Sequence, residues 1–221
     1  MLKRTLEPEV MDSHEEAVAY DEMSHEAVNE LFVTDLLTTG LPAGEILDLG
    51  AGTGRIPIEL SQSESEARIV AIDLSVSMLD IARINIELAG LTDQINLDRV
   101  DAKELPYDDD RFAVVMSNSI VHHIPNPEPI IREAVRVTAP GGLLFFRDLL
   151  RPATAEIVDD FVEKYAGEES VHAQQMFRNS LHAALSLDEI RDLVGGVGFP
   201  ANSVTANSDR HWTWIGRKPG P

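Results

Sequence analysis

Three glycines stand within five residues, Gly50, Gly52 and Gly54, in the run ILDLGAGTGR. Glycine turns with positive φ and lets a ligand come close to the main chain, at a cost in chain entropy. Asp73 follows 19 positions after Gly54 and ends a second apolar run, RIVAID. A carboxylate in that place can accept both hydrogen bonds of a ribose diol. Asp101 stands next to last in INLDRVDA, Asn118 ends FAVVMSN with Ser119 directly after it, and His122 and His123 follow. A bare loop, two acids, an amide, a hydroxyl and two imidazoles suit a nucleoside-bearing ligand beside groups that can take a proton. Taken singly, each part has a plainer use: the loop as a tight strand-to-helix turn, the acids as helix caps or turns.

These residues can meet only if the right elements carry them. Ligands of an open parallel sheet bind outside the carboxyl ends of its strands. Strand patterns run at 45–49, 68–73, 95–102, 112–118 and 143–150, and several are apolar almost throughout, as in strands covered on both faces. Helix patterns alternate with them: one opens near Arg55, one runs from the Ser75 cap to Gly90, and one spans 127–137 before APGG breaks it. The alternation predicts an α/β, doubly wound, mostly parallel sheet. Beyond Pro152 it lapses into a helical stretch from Ala153 to Leu185, then a capping box, SLDE at 186–189, and a hairpin tail around Asn207 to Arg210.

Two cofactor classes compete for such an edge. The dinucleotide fingerprint GxGxxG needs a third glycine where this chain has Arg55, which counts against a nicotinamide-dependent oxidoreductase. A cofactor without phosphates, its amino-acid tail against the loop, does not need that glycine. The segments LDLGAGTGR, AIDLSVSML, VDAKELPYDDDRFAVVMSNSIVHHI and PGGLLFF lie in order within residues 45–150. Together they resemble the motifs of the Rossmann-like (class I) S-adenosylmethionine-dependent methyltransferases, small-molecule branch.

That resemblance implies a seven-stranded sheet in the order 3-2-1-4-5-7-6, the last strand antiparallel, with helices on both faces. It implies in-line methyl transfer from S-adenosyl-L-methionine to a small-molecule acceptor; a non-catalytic binder of the same cofactor is the other reading. By the same resemblance Gly50, Ala51 and Gly52 lie along the methionine moiety with Asp48 nearby, and Asp73 holds the ribose hydroxyls. Leu74 and Met78 flank the adenine, Asp101 accepts from its amino group, the Ala102 amide donates to its ring, and Asn118 and Ser119 sit by the sulfonium. Leu74 and Met78 fit ordinary core packing equally well.

With an activated methyl donor, the protein must align the nucleophile and, where needed, accept its proton. His122 and His123 are the candidates, with Tyr20 added because the N-terminal segment of relatives often closes over the cofactor. Neighbouring side chains on extended chain point opposite ways, so at most one imidazole is expected to face the cavity, and a structural role fits each. Neither the adjacent histidines nor DDD at 108–110 has the spacing of metal ligands, and no metal is expected.

The domain expectation is an N-terminal helical segment, 1–42, closing over the site, and a Rossmann-like domain, 43–221, with a helical insertion at 151–185. The insertion far exceeds the usual connection of about two to six residues. Its apolar residues beside Met176, Phe177 and Arg178 suit a substrate pocket, or else a cap or subunit contact. Composition limits the partners. With 38 acidic and 18 basic residues the net charge is -20, and no basic patch is visible for nucleic acid or anionic membranes. Asn118 is followed by SIV rather than the two prolines and aromatic of base-methylating enzymes. There are no cysteines, which removes disulfides and thiolate chemistry. No apolar run approaches the ~20 residues of a membrane span, and MLKRTLEPEV lacks the apolar centre of a secretory signal, so a cytoplasmic location is expected.

Overall fold

Four-to-seven-residue runs of aliphatic side chains form the middle of the sheet because both their faces are covered. A computed structural model describes residues 2–7, 13–23 and 26–220. β1 (Ile46–Leu49) is buried throughout, as is β2 (Ile69–Asp73) up to its last residue. β3 (Ile95–Arg99), at the edge, buries little, whereas β4 (Phe112–Asn118) is again buried almost to its end. With β5 (Thr138–Leu149), β6 (Val204–Ala206) and β7 (His211–Arg217) the order is β3-β2-β1-β4-β5-β7-β6. The strands from β3 to β5 pair in parallel, and β7 is antiparallel to both its neighbours. This is the sheet that the alternation and the resemblance predicted.

One face carries α2 (Glu26–Thr38), α3 (Arg55–Ser63) and α4 (Val76–Ala89), whose Phe32, Leu36, Leu60 and Ile86 pack on Ile46, Val114 and Phe145. The opposite face carries α5 (Glu128–Val137) and α8 (Leu187–Gly196), with Ile131, Ala134, Ile190 and Val194 against Leu47, Val115 and Phe146. The caps follow the sequence: Ser75 Oγ accepts from Met78 N at 3.2 Å, Gly90 ends α4 at φ 71°, and Ser186 and Glu189 close the capping box of α8.

Three expectations change in detail. The helix ends at Val137, before APGG as expected, but the fifth strand starts earlier than 143: β5 begins at Thr138, includes APGG, and pairs with β4 across a register shift between Phe112 and Val114. The third strand stops at Arg99, leaving Asp101 and Ala102 in the following turn. The stretch from 153 to 185 is two helices, α6 (Ala155–Ala166) and α7 (Val171–Ala183), packed through Val158, Val162 and Leu181. Ahead of the sheet, α1 (His14–Glu22) rests on α4, with Ala17 against Met78 and Ile81. Residues 1, 8–12, 24, 25 and 221, which belong to the predicted 1–42 and 43–221 units, lie outside the described residues. No described helix is long and apolar enough to cross a membrane.

Candidate active site

The glycine loop leaves β1 with Gly50, Gly52 and Gly54 all at positive φ. A Cβ on Gly50 would come within 2.5 Å of Ile120 Cδ1, so that position is bare because the chain packs there. A Cβ on Gly52 would meet only Tyr20 Cε1, at 3.9 Å, so that position is bare beside open space. The space is a cavity of ≈ 110 Å³ at the carboxyl edge of the sheet. Gly50 and Gly52 line its floor; Asp73, Leu74 and Met78 line one side, and Asp101 and Ala102 continue it. Asn118 and Ser119 close the end nearest β4. Ser119 is held at φ 60°, its N–H donating to Arg147 O at 2.9 Å, which turns the chain sharply out of the strand. Of the residues expected at the cofactor, Asp48 and Ala51 are not on the cavity wall: Asp48 lies behind the loop within β1, and Ala51 packs on the α2 side of the core.

The acids divide the electrostatic work. Asp73 Oδ2 accepts from Gly52 N and Oδ1 from Ser75 N, both at 2.9 Å, so the carboxylate holds the loop and the start of α4 together. Burial raises its pKa against these hydrogen bonds. Asp48 is 2% exposed and its Oδ2 has no partner among the described residues. Burial first, and then the charge of Asp73, push its pKa up to about 8. An unpaired buried carboxyl beside an acid-lined cavity is complementary to a cationic ligand. The ammonium and sulfonium of S-adenosylmethionine meet that requirement, and the open face of Gly52 leaves room along the loop.

A second cavity of ≈ 230 Å³ adjoins the first, and both are walled by Tyr20, Asn118, Ser119 and His123. Met176 and Phe177 of α7 line the second cavity, as the insertion predicted, but Arg178 pairs with Asp159 of α6 instead. Tyr165, Arg210 and His211 complete the far wall. Tyr20 keeps its phenol proton: burial, followed by the charge of Asp73, raises its pKa.

The histidines depart from the sequence expectation. Residues Val121–His123 form a 3-10 turn rather than extended chain, so both rings lie on the same side, their centroids 4.1 Å apart. His122 Nδ1 is 2.5 Å from Asp148 Oδ1, and its main-chain N–H donates to Asp148 Oδ2 at 3.1 Å. Burial alone would depress the His122 imidazolium, but the charge and hydrogen bond of Asp148, with Glu7, outweigh it and raise its pKa. His123 is the reverse case: burial, then the neighbouring His122 charge, lower its pKa to about 3 and leave the ring neutral. Both rings approach Glu7, which reaches them from an N-terminal strap, residues 2–7. Sequence reasoning missed Glu7, Asp148 and Asp21. Asp148 left a trace, a charged pair RD inside the otherwise apolar LLFFRDLL. Asp21 takes Arg55 in a two-pronged contact at 2.9 and 2.6 Å, tying α1 to the glycine loop.

The family model for a methyltransferase domain matches residues 42–194. The chain belongs to the class I, S-adenosylmethionine-dependent methyltransferases. Among curated relatives this methyltransferase is 35% identical over 132 residues to the 27-O-demethylrifamycin SV methyltransferase of Amycolatopsis mediterranei, which covers 58% of this chain and 48% of that one. It is 28% identical over 112 residues to the ubiquinone/menaquinone biosynthesis C-methyltransferase UbiE of Vibrio vulnificus, covering 50% and 43%. The matched part is less than half the length of either relative. A solved structure from Bacillus halodurans, described as a candidate methyltransferase, matches at TM-score 0.60 and 26% identity over 79% of this chain and 70% of that one. A Methanococcus maripaludis structure, a candidate S-adenosylmethionine-dependent methyltransferase 20% identical, shares the fold at TM-score 0.72 over 98% of each chain.

Proposed function

We propose that this methyltransferase moves a methyl group from S-adenosylmethionine to a small-molecule acceptor by in-line displacement, with cofactor and acceptor in the two adjoining cavities. The observation that carries the reading is their shared wall of Tyr20, Asn118, Ser119 and His123. Bound in the first cavity, the cofactor supplies a methyl group activated on a sulfonium. Gly50 and Gly52, on either side of Ala51, give its amino-acid tail a bare main chain, Asp48 acts on the ammonium from behind the loop, and Asp73 keeps lone pairs for the ribose. Leu74 and Met78 flank the base, and Asp101 and the Ala102 amide read its edge. Asn118 and Ser119 fix the end of the cavity where the methyl group is passed on, and orientation is the larger part of such a rate enhancement.

His123, neutral and on both cavity walls, is the group placed to accept a proton from the acceptor. His122 supports it from behind, fixed by Asp148, and Tyr20 of the covering α1 donates from above. In this reading α1, from the N-terminal segment, closes over the site, and α6 and α7 form the acceptor side. The net charge of -20 favours a small-molecule acceptor over nucleic acid or an anionic lipid surface, and the cytoplasm is the compartment proposed for it.

Calorimetry with S-adenosylhomocysteine and with NAD tests the cofactor: the expected outcome is saturable binding of the first and none of the second. Transfer of labelled methyl groups into a pool of cell metabolites then tests turnover. Binding without any labelled product across such pools would leave a non-catalytic binder.

A further inference from the structure

Among the described residues, the strap and the 3-10 turn bring together one carboxylate and two imidazoles close enough to share an ion. Glu7 Oε1 lies 3.5 Å from His122 Nε2 and 3.2 Å from His123 Nδ1, and the ligating atoms of the three residues all lie within 4.8 Å of one another. We propose that Glu7, His122 and His123 bind a divalent transition-metal ion of the zinc class at the edge of the acceptor cavity.

The spacing suits one ion. Bonds of about 2.0 to 2.1 Å in a tetrahedral arrangement put ligand atoms roughly 3.3 to 3.4 Å apart, and the two Glu7 distances fall on either side of that edge. Two imidazole nitrogens and one carboxylate favour zinc, cobalt or iron(II) over magnesium and calcium, which prefer oxygen alone. Two of the three ligands are also oriented by another contact. Asp148 occupies Nδ1 of His122 and so leaves Nε2 to face Glu7; a carboxylate behind a ligating histidine fixes both the ring and its tautomer. Ser180 Oγ donates to Glu7 Oε1 at 3.1 Å.

The strap itself is anchored. Arg4 donates to the carbonyls of Ala183, Pro125, His122 and Ile124 at 2.7 to 3.1 Å, and Thr5 N donates to His182 O at 3.0 Å. Three protein ligands beside a cavity that both histidines line make an open site, with room for a further ligand. That ligand is an acceptor oxygen, held where His123 would otherwise take its proton. The use of the ion therefore rests on the methyl-transfer reading, while its binding does not.

The test titrates chelator-treated full-length protein with Zn²⁺ by calorimetry and with Co²⁺ by visible absorption, with and without S-adenosylhomocysteine. The expected result is a single saturable ion of micromolar affinity or better, with the d–d bands of a low-coordinate Co²⁺ site. Asp148→Asn should weaken binding about 10- to 100-fold; Glu7→Gln and His123→Ala should weaken it at least as much. His172→Ala, on the exposed face of α7, should leave it unchanged. Absence of saturable binding at sub-millimolar metal, or binding unaltered in Glu7→Gln, overturns the proposal. Far-ultraviolet circular dichroism and Tm report the fold of each variant, and if Glu7→Gln does not fold, His123→Ala decides. A wild type that takes up zinc but not S-adenosylhomocysteine would sink the methyl-transfer reading and leave the metal site standing.

Discussion

Both oxygens of Asp73 are already engaged by main-chain donors, and each keeps a lone pair for a ribose hydroxyl in the proposed site. Asp73→Ala should therefore cost about 1.5 to 3 kcal/mol of cofactor binding, roughly tenfold to more than a hundredfold. It should also lower Tm, because two amides lose their acceptor. Calorimetry with S-adenosylhomocysteine on the folded variant checks this; an unchanged Kd removes Asp73 from the site. Asp48 makes a sharper case. Its folded pKa, about 8, stands above the ordinary 3.8, so below that lower value it is protonated in both states and contributes no penalty. As pH rises the unfolded chain ionises first, and this one group erodes stability by up to about 1.4 kcal/mol per pH unit until the folded carboxyl also ionises. Asp48→Asn should flatten the decline in Tm between those values and raise the Tm of the free protein at pH above it. The same variant should weaken cofactor binding, since the cation loses its partner. In the wild type, binding at neutral pH should release a proton, seen as a calorimetric enthalpy that changes with the buffer; a buffer-independent enthalpy would separate Asp48 from the cofactor. Asp73 was legible in the sequence because it ends a strand, whereas Asp48, inside β1, was pointed to only by the family resemblance. Glu7 was not legible: nothing local marks it, and its histidine partners lie more than a hundred residues away.

The elements differ in how they reveal themselves. Strands and helices of four residues or more carry a period, and their order along the chain predicted the sheet. The 3-10 turn at Val121–His123 is too short to show one, and the expectation that the two rings diverge failed there because a turn was read as extended chain. The strap has no pattern at all; its order comes from Arg4 contacts 118 to 179 residues away in sequence. Two predictions belong at this scale. Arg55→Ala releases the Asp21 contact that ties α1 to the glycine loop. Arg55 is half exposed, so the expected effect is modest, about 0.2 to 1 kcal/mol. It should be read as faster cofactor release in stopped-flow with little change in Tm; an unchanged release rate would mean α1 does not cover the cofactor. Replacing Met176 and Phe177 by alanine should alter turnover of the acceptor while cofactor affinity stays near wild type. If only Tm or oligomeric state changes, α6 and α7 are a cap and the acceptor lies elsewhere.

At the scale of the molecule the net charge of -20 acts on stability as well as on partners. Like charges across the surface repel, and salt screens them over roughly 8 Å at physiological strength. Tm should rise with NaCl by about 2 to 4 °C for each kcal/mol of repulsion screened, and a fluorimetric melt in a salt series measures it; a flat series would mean that opposite charges are interspersed closely enough to cancel. The sequence by itself determined the sheet, the glycine loop and the acids at its edge, since each follows from local pattern and from the chemistry of single side chains at strand ends. It also carried the family motifs. Only the tertiary structure decided that both imidazoles share one side, that Asp148 stands behind one of them, and that Glu7 faces both. Those contacts join segments far apart in the chain, and they depend on the angle at which β4 hands over to a turn, which no residue type specifies alone.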